Sequence, residues 1–69
     1  MKIEELKEGN LAIVTDGIDG FFVGNEALVG QGQECMILDC GSILSKEDID
    51  QFELRFNVIE ENYYTSERL

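Results

Sequence analysis

Sixty-nine residues carry fifteen Asp and Glu against five Lys and Arg, with no His, no Pro and no Trp, for a formal charge of −10. A chain this short makes one domain, and folding hides only about 60% of the surface its unfolded form exposes, so the core is thin and a deep pocket has little room. The charge balance excludes direct binding to a phosphate backbone, which is built from Lys and Arg displacing counterions, and it disfavours an anionic membrane surface for the same reason.

The composition is nonetheless that of a folded chain. Hydrophobic residues make up 43% of it, including four Phe and two Tyr, more than a highly charged disordered chain carries. Met1-Lys2-Ile3-Glu4-Glu5-Leu6 lacks the basic region and apolar run of a signal peptide. No apolar run approaches a membrane span, so the expected location is cytoplasmic.

In chain order, Ile3 and Leu6 have the spacing of one helical turn, stopped by Gly9-Asn10. Residues 11–15, Leu-Ala-Ile-Val-Thr, form a β-branched run too short for a helix and predict the first buried strand. Asp16-Gly17-Ile18-Asp19-Gly20 has the chemistry of tight turns. Phe21-Phe22-Val23 resumes the apolar pattern as a second strand, and Gly24-Asn25 breaks it. Residues 26–29 predict a third strand, 30–33 a flexible hairpin tip, and 34–39 a fourth and most hydrophobic strand.

Ser45, three residues before Asp48, resembles a capping box and opens one helical turn over Lys46–Gln51, after the connecting Gly41-Ser42-Ile43-Leu44. From Phe52 the period changes to two: Phe52, Leu54, Phe56 and Val58 alternate with Glu53, Arg55, Asn57 and Ile59 as a half-buried final strand. Residues 61–69 have no sustained period and read as a flexible tail, with Tyr63 or Tyr64 as its anchor. The fold class is therefore mainly β: a single domain over residues 1–60 in which five short strands, with one helical turn before the last, make a small, strongly bent sheet that closes on itself.

Cys35 and Cys40 stand five residues apart. On one strand their side chains take opposite faces about 16 Å apart, too far for a disulfide, and both are expected to be buried or half-buried. With no His and no third Cys, a zinc site would have to be completed by carboxylates. Asp16 and Asp19 could offer oxygens to a hard cation, but their spacing is not that of an EF-hand loop and a plain turn is the simpler reading. No metal and no cofactor is expected. The absence of His also removes Ser-His and Cys-His pairs, and carboxylates on so small a domain are not readily desolvated for acid–base work, so no enzyme is expected.

Two segments carry a resemblance. Lys7-Glu8-Gly9-Asn10 leading into residues 11–14, and Val23-Gly24-Asn25-Glu26-Ala27-Leu28-Val29, together with the helical turn before the last strand, make the chain resemble the small SH3-like barrels. The resemblance includes the KOW-type version found in nucleic-acid-associated proteins and in short phage and mobile-element proteins. It spans roughly residues 6 to 60, implies a binding role and brings no catalytic residues. Direct DNA or RNA binding is not carried over, because such nucleic-acid-binding barrels are usually basic. The aromatic ligand groove of SH3 domains cannot be matched here without Trp.

The acids are unevenly placed. Glu4, Glu5 and Glu8 cluster at the start, Glu47, Asp48, Asp50 and Glu53 around the helical turn, and Glu60 and Glu61 after the last strand. Ten net charges exceed the roughly two to eight that solubility asks of a small domain. Carboxylates gathered on one face would stand in for backbone phosphates before a basic protein, such as a nucleic-acid-handling enzyme, as in a phage-type inhibitor. The alternative is a structural or assembly module that self-associates through Phe21 or Phe22, which cannot both face inward in a regular strand. Partner-binding candidates are thus Glu47, Asp48, Asp50, Glu53, Glu60, Glu61, Phe21 and Phe22.

Self-repulsion among these charges opposes folding and is screened by salt. The melting temperature is therefore expected to rise between low and high salt in thermal denaturation; a flat response would contradict the like-charge account.

Overall fold

The computed structural model describes residues 1–63. Its elements are a 3-10 turn at Ile3–Glu5, β1 (Leu11–Asp16), a 3-10 turn at Ile18–Gly20, β2 (Glu26–Val29), a 3-10 turn at Gln31–Gln33, β3 (Cys35–Ile37), β4 (Ser42–Leu44), α1 (Lys46–Gln51) and β5 (Arg55–Glu60). The protein is mainly β. All five strands pair antiparallel in one sheet of order β4-β3-β2-β1-β5, so the first four run as a meander and the last returns to lie beside the first. The two edges of that ladder are β4 and β5.

Strand alternation sends one set of side chains into the core. Ala12, Ala27 and Ile37 stand in one cross-strand row, Val29, Cys35 and Leu44 in another, and Val14 is opposite Phe56. All of these are buried, together with Ile3, Leu6, Ile49 and Leu54, which the N-terminal turn, α1 and the chain after it bring to the same cluster. Register shifts interrupt the β1–β5 ladder between Leu11 and Ala12 and between Val14 and Asp16, the kind of irregularity that bends and twists a strand. The backbone of Phe56 also bonds Met1, its N–H donating to the Met1 carbonyl at 2.8 Å, so the N-terminal segment is fastened to β5.

The expected strands at 11–15 and 26–29 and the helical turn at Lys46–Gln51 are found, and the last strand is found from Arg55 rather than from Phe52, which caps α1. Three expectations are corrected. Residues 21–23 are a turn, not a strand: Phe22 has φ 62° between Gly20 and Gly24, both also at positive φ, which no β ladder accommodates. The fifth strand is instead Ser42–Leu44, where the sequence offered only a connection. The strand expected over 34–39 stops at Ile37, because Leu38 begins a turn that Gly41 (φ 73°) completes. Cys40 therefore sits in that turn and is exposed, while Cys35 is buried on β3; both are free thiols. Of the segment expected as a tail, Tyr63 is exposed, and Tyr64 with the rest lies outside the described residues. Among the described residues no helix is long and apolar enough to cross a membrane.

Helix α1 has a defined start and stop. Ser45 Oγ accepts the Asp48 N–H at 3.2 Å, the N-cap that the sequence suggested. At its other end Glu53 N–H donates to the Asp50 carbonyl and Leu54 N–H to the Ile49 carbonyl, each at 3.1 Å, with Glu53 at φ 55°. That is a Schellman ending, with the accompanying apolar contact provided by buried Ile49 and Leu54. Glutamate occupies the position where glycine is usual, so nothing in the sequence announces it.

Gly17 fixes the loop that follows β1. A Cβ there would lie 2.6 Å from the Phe21 carbonyl oxygen and 2.8 Å from Leu54 Cδ2, so only a bare backbone lets the loop lie this close to the core. Gly17→Ala is expected to destabilise the fold by about 1–3 kcal/mol, the usual cost of forced overpacking, in urea denaturation. A change within experimental error would mean that the loop is not seated on Leu54.

Candidate acidic and aromatic face

The candidate residues are positioned by two pieces of chain, the loop after β1 and helix α1. The loop folds back onto the end of the helix, where Ile18 N–H donates to the Phe52 carbonyl at 2.7 Å. This brings Phe21 and Phe22 against Phe52. Ring centroids are 5.4 Å apart for Phe21–Phe52, 6.0 Å for Phe22–Phe52 and 6.3 Å for Phe21–Phe22, within the range over which aromatic pairs attract. The Phe22–Phe52 pair meets edge to face, and the other two are tilted.

Phe22 and Phe52 are half-buried and pack against the core, whereas Phe21 is 50% exposed and stands with the exposed Ile18 and Val23. A bulky residue in the left-handed region, as Phe22 is, costs of order 1–3 kcal/mol. The packing of its ring supplies the compensation.

Phe52 directly follows α1 and precedes Glu53, so the aromatic cluster stands at the C-terminal end of the helix that carries Glu47, Asp48 and Asp50. Their electrostatic states differ. Lys46 reaches Asp50 at 2.7 Å and Glu4 at 3.4 Å, tying the N-terminal turn to the helix and offsetting both charges. Hydrogen bonding to Asp50 raises the Lys46 pKa, and a backbone hydrogen bond, helped by Lys46, lowers that of Glu4. Glu47, Asp48 and Glu53 form no ion pair among the described residues, and Glu47 and Asp48 occupy the first turn of α1, where negative charge suits the helix dipole.

Glu60 and Glu61 belong elsewhere. Glu60 pairs with Leu11 at the far end of β5, about 17 Å along the strand from Arg55 at 3.3 Å per residue. The structure thus places Glu47, Asp48 and Asp50 on α1 and Glu53 just after it, sets Phe21 and Phe22 against Phe52 at the end of that helix, and puts Glu60 at the other end of β5.

Two residues that sequence reasoning passed over belong to the face. Phe52 reads as a strand residue by its alternation with Leu54 and Phe56, and only the reversal at Glu53 turns its ring to Phe21. Lys46 reads as an ordinary helix residue, although its i,i+4 spacing to Asp50 was a usable sign of one ion pair.

The thiols behave oppositely. Burial pushes Cys35 up to about 11, while the Ser42 hydroxyl, 3.2 Å from Cys40 Sγ, lowers the Cys40 pKa. Among the described residues no three of His, Cys, Asp and Glu stand together as metal ligands.

Glu53 combines a strained backbone with a place on this face. A side chain at left-handed φ costs roughly 1–2 kcal/mol, from which the extra chain entropy of glycine subtracts part. Glu53→Gly is therefore expected to raise unfolding free energy by about 0.5–1 kcal/mol in urea denaturation. Glu47→Gly, inside the helix, is expected to lower it by about 1 kcal/mol. Equal losses in both variants would show that the helix does not end as described.

Compared with protein-family models, with curated proteins and with solved structures, the chain gives no match to any of them.

Proposed function

We propose that this chain is a non-catalytic interaction module, a small SH3-like barrel whose α1 face docks on a basic site of a partner protein. The observation that carries the reading is the Phe21–Phe22–Phe52 cluster at the C-terminal end of the helix whose Glu47 and Asp48, with Glu53 after it, form no ion pair among the described residues. Exposed apolar patches mark interaction sites, and buried aromatic anchors carry most of the energy of protein interfaces. Acids around such an anchor steer a basic partner and raise the association rate. The short helix before β5 supports the barrel resemblance, from which the binding role comes.

The partner that suits this chemistry is a protein with a basic nucleic-acid-binding site, which the module would block as an inhibitor of the phage type does. Self-association through Phe21 is disfavoured, since a symmetric contact would set the acids of two copies against each other.

The test is capture from lysate on the immobilised protein at low and high salt, followed by kinetics with the purified captured protein and with DNA as competitor. Reversing Glu47, Asp48 and Glu53 to Lys is expected to slow association by on the order of ten- to a hundredfold at low salt. Phe21→Ala is expected to speed dissociation, with a loss of about 2 kcal/mol or more if the ring is an anchor. DNA should displace the module. Binding that ignores the charge reversal and the salt sinks the reading, and a dimer abolished by Phe21→Ala favours the assembly role instead.

A further inference from the structure

The opposite face of the sheet carries a second apolar row. Leu11 pairs with Leu28, Leu28 with Met36 and Met36 with Ile43, so four strands contribute side chains to one line that ends at the edge strand β4. Leu11 is buried, Leu28 and Met36 are half-buried, and Ile43 at the edge is 66% exposed. Beside this row lies a cleft of about 170 Å³ formed by Leu28, Val29, Cys35, Met36 and Ile43, in which the charged lining residues are Glu8 and Glu34. An apolar cavity of about 150 Å³ takes up benzene, so this cleft has room for one large apolar side chain. The strand bordering it, β4, has no strand on its outer side among the described residues.

We propose that the cleft and the β4 edge form a second docking surface, for an extended segment of a partner protein that carries an apolar anchor flanked by lysine or arginine. The segment adds as a strand beside Ser42–Leu44, with backbone hydrogen bonds supplying affinity and alternate side chains supplying selection. On the outer face its anchor packs on Ile43 at the mouth of the cleft, and a basic residue two positions along toward the Leu44 end approaches Glu34, with Glu8 adding to the negative field beyond it. Charge complementarity chooses this occupant over a second copy of the chain. With a net charge of −10 and only five Lys and Arg, another copy would bring mainly like charge to an acidic rim. The cleft is lined by no residue of α1 or of the phenylalanine cluster, although β4 leads into α1 through Ser45, and the proposal is tested independently of the function proposed for the α1 face.

The experiment uses a fluorescein-labelled nine-residue peptide with a central leucine, lysine two residues to either side, and serine and threonine elsewhere. Fluorescence anisotropy at low salt is expected to show binding that weakens at least tenfold with Ile43→Asp and with the double reversal Glu8→Lys and Glu34→Lys. It should also weaken when alternate backbone nitrogens of the peptide are methylated or when its lysines are replaced by glutamate. Phe21→Ala should leave it unchanged. Amide shifts in NMR spectra should centre on residues 42–44, Leu28 and Met36. Because Ile43 and both acids lie at the surface, these variants keep the fold, which a thermal melt verifies. Absence of binding, binding indifferent to Ile43→Asp and to backbone methylation, or shifts confined to α1 would overturn the proposal. So would a homodimer seen by sedimentation without peptide and abolished by Ile43→Asp.

Discussion

The antiparallel ladder between β1 and β5 joins residues 11–16 to residues 55–60, and the rest of the molecule depends on it. Closing so long a loop costs conformational entropy before any contact repays it. The repayment is the burial of Phe56 opposite Val14, with Ile49 and Leu54 delivered to the same cluster by the chain just before it. Once β5 is in place, Asp16 stands opposite Arg55, and the loop leaving β1 lies beside the end of α1. The Phe52 carbonyl then receives the Ile18 N–H, and the three phenylalanine rings meet. The candidate face is a consequence of the longest-range strand pairing among the described residues rather than of any local motif.

That dependence explains what could be read from the amino-acid order. Residues 11–15 and 26–29 were legible because β-branched or alternating apolar runs were bounded by Gly, Asn and Asp, and Lys46–Gln51 because Ser45 caps it. The strand Ser42–Leu44 was not, since three residues with one buried side chain contain no full period. Phe21-Phe22-Val23 misled for the opposite reason: its apolar content is real, but it is satisfied by Phe52 and not by a neighbouring strand. Cys40 was misplaced because the strand containing Cys35 ends two residues earlier than its composition suggests. The acids of the face were all visible in the sequence, whereas their junction with the aromatic rings depends on a Schellman ending with glutamate in the glycine position.

Charge is distributed with a division of labour. Lys46 is committed to Glu4 and Asp50, a network that fastens the N-terminal turn to α1, though exposed pairs of this kind contribute little individually. The directions of the two shifts fix its working range. Because the Glu4 pKa is lowered on folding, its contribution holds above the ordinary carboxylate value and fades as pH falls through the folded one; because the Lys46 pKa is raised, its contribution is lost only as pH climbs through its folded value. Across the neutral range the tie is intact. Glu47, Asp48 and Glu53 form no ion pair among the described residues, but Glu47 and Asp48 favour the N-terminus of α1, so the effect of reversing them on binding has to be read beside its effect on stability.

The excess of acid thus has a consequence beyond solubility. A thin core holding ten net charges is penalised by their mutual repulsion, and the fold tolerates further strain at Phe22 and Glu53, both on the α1 face. Backbone strain tends to persist where surrounding contacts over-determine it and where function requires the geometry. Relaxing Glu53 with glycine would remove strain and a carboxylate together, so under the proposed function stability and recognition would be coupled in opposite senses at that one position. No residue lining the cleft beside β4 has a left-handed backbone, although Gln33, in the turn between the lining residues Gly30 and Glu34, does (φ 61°). If both faces take basic partners, the α1 face is therefore the one where a gain in stability is expected to come at the expense of binding, and the β4 edge is the one where the two can be changed separately.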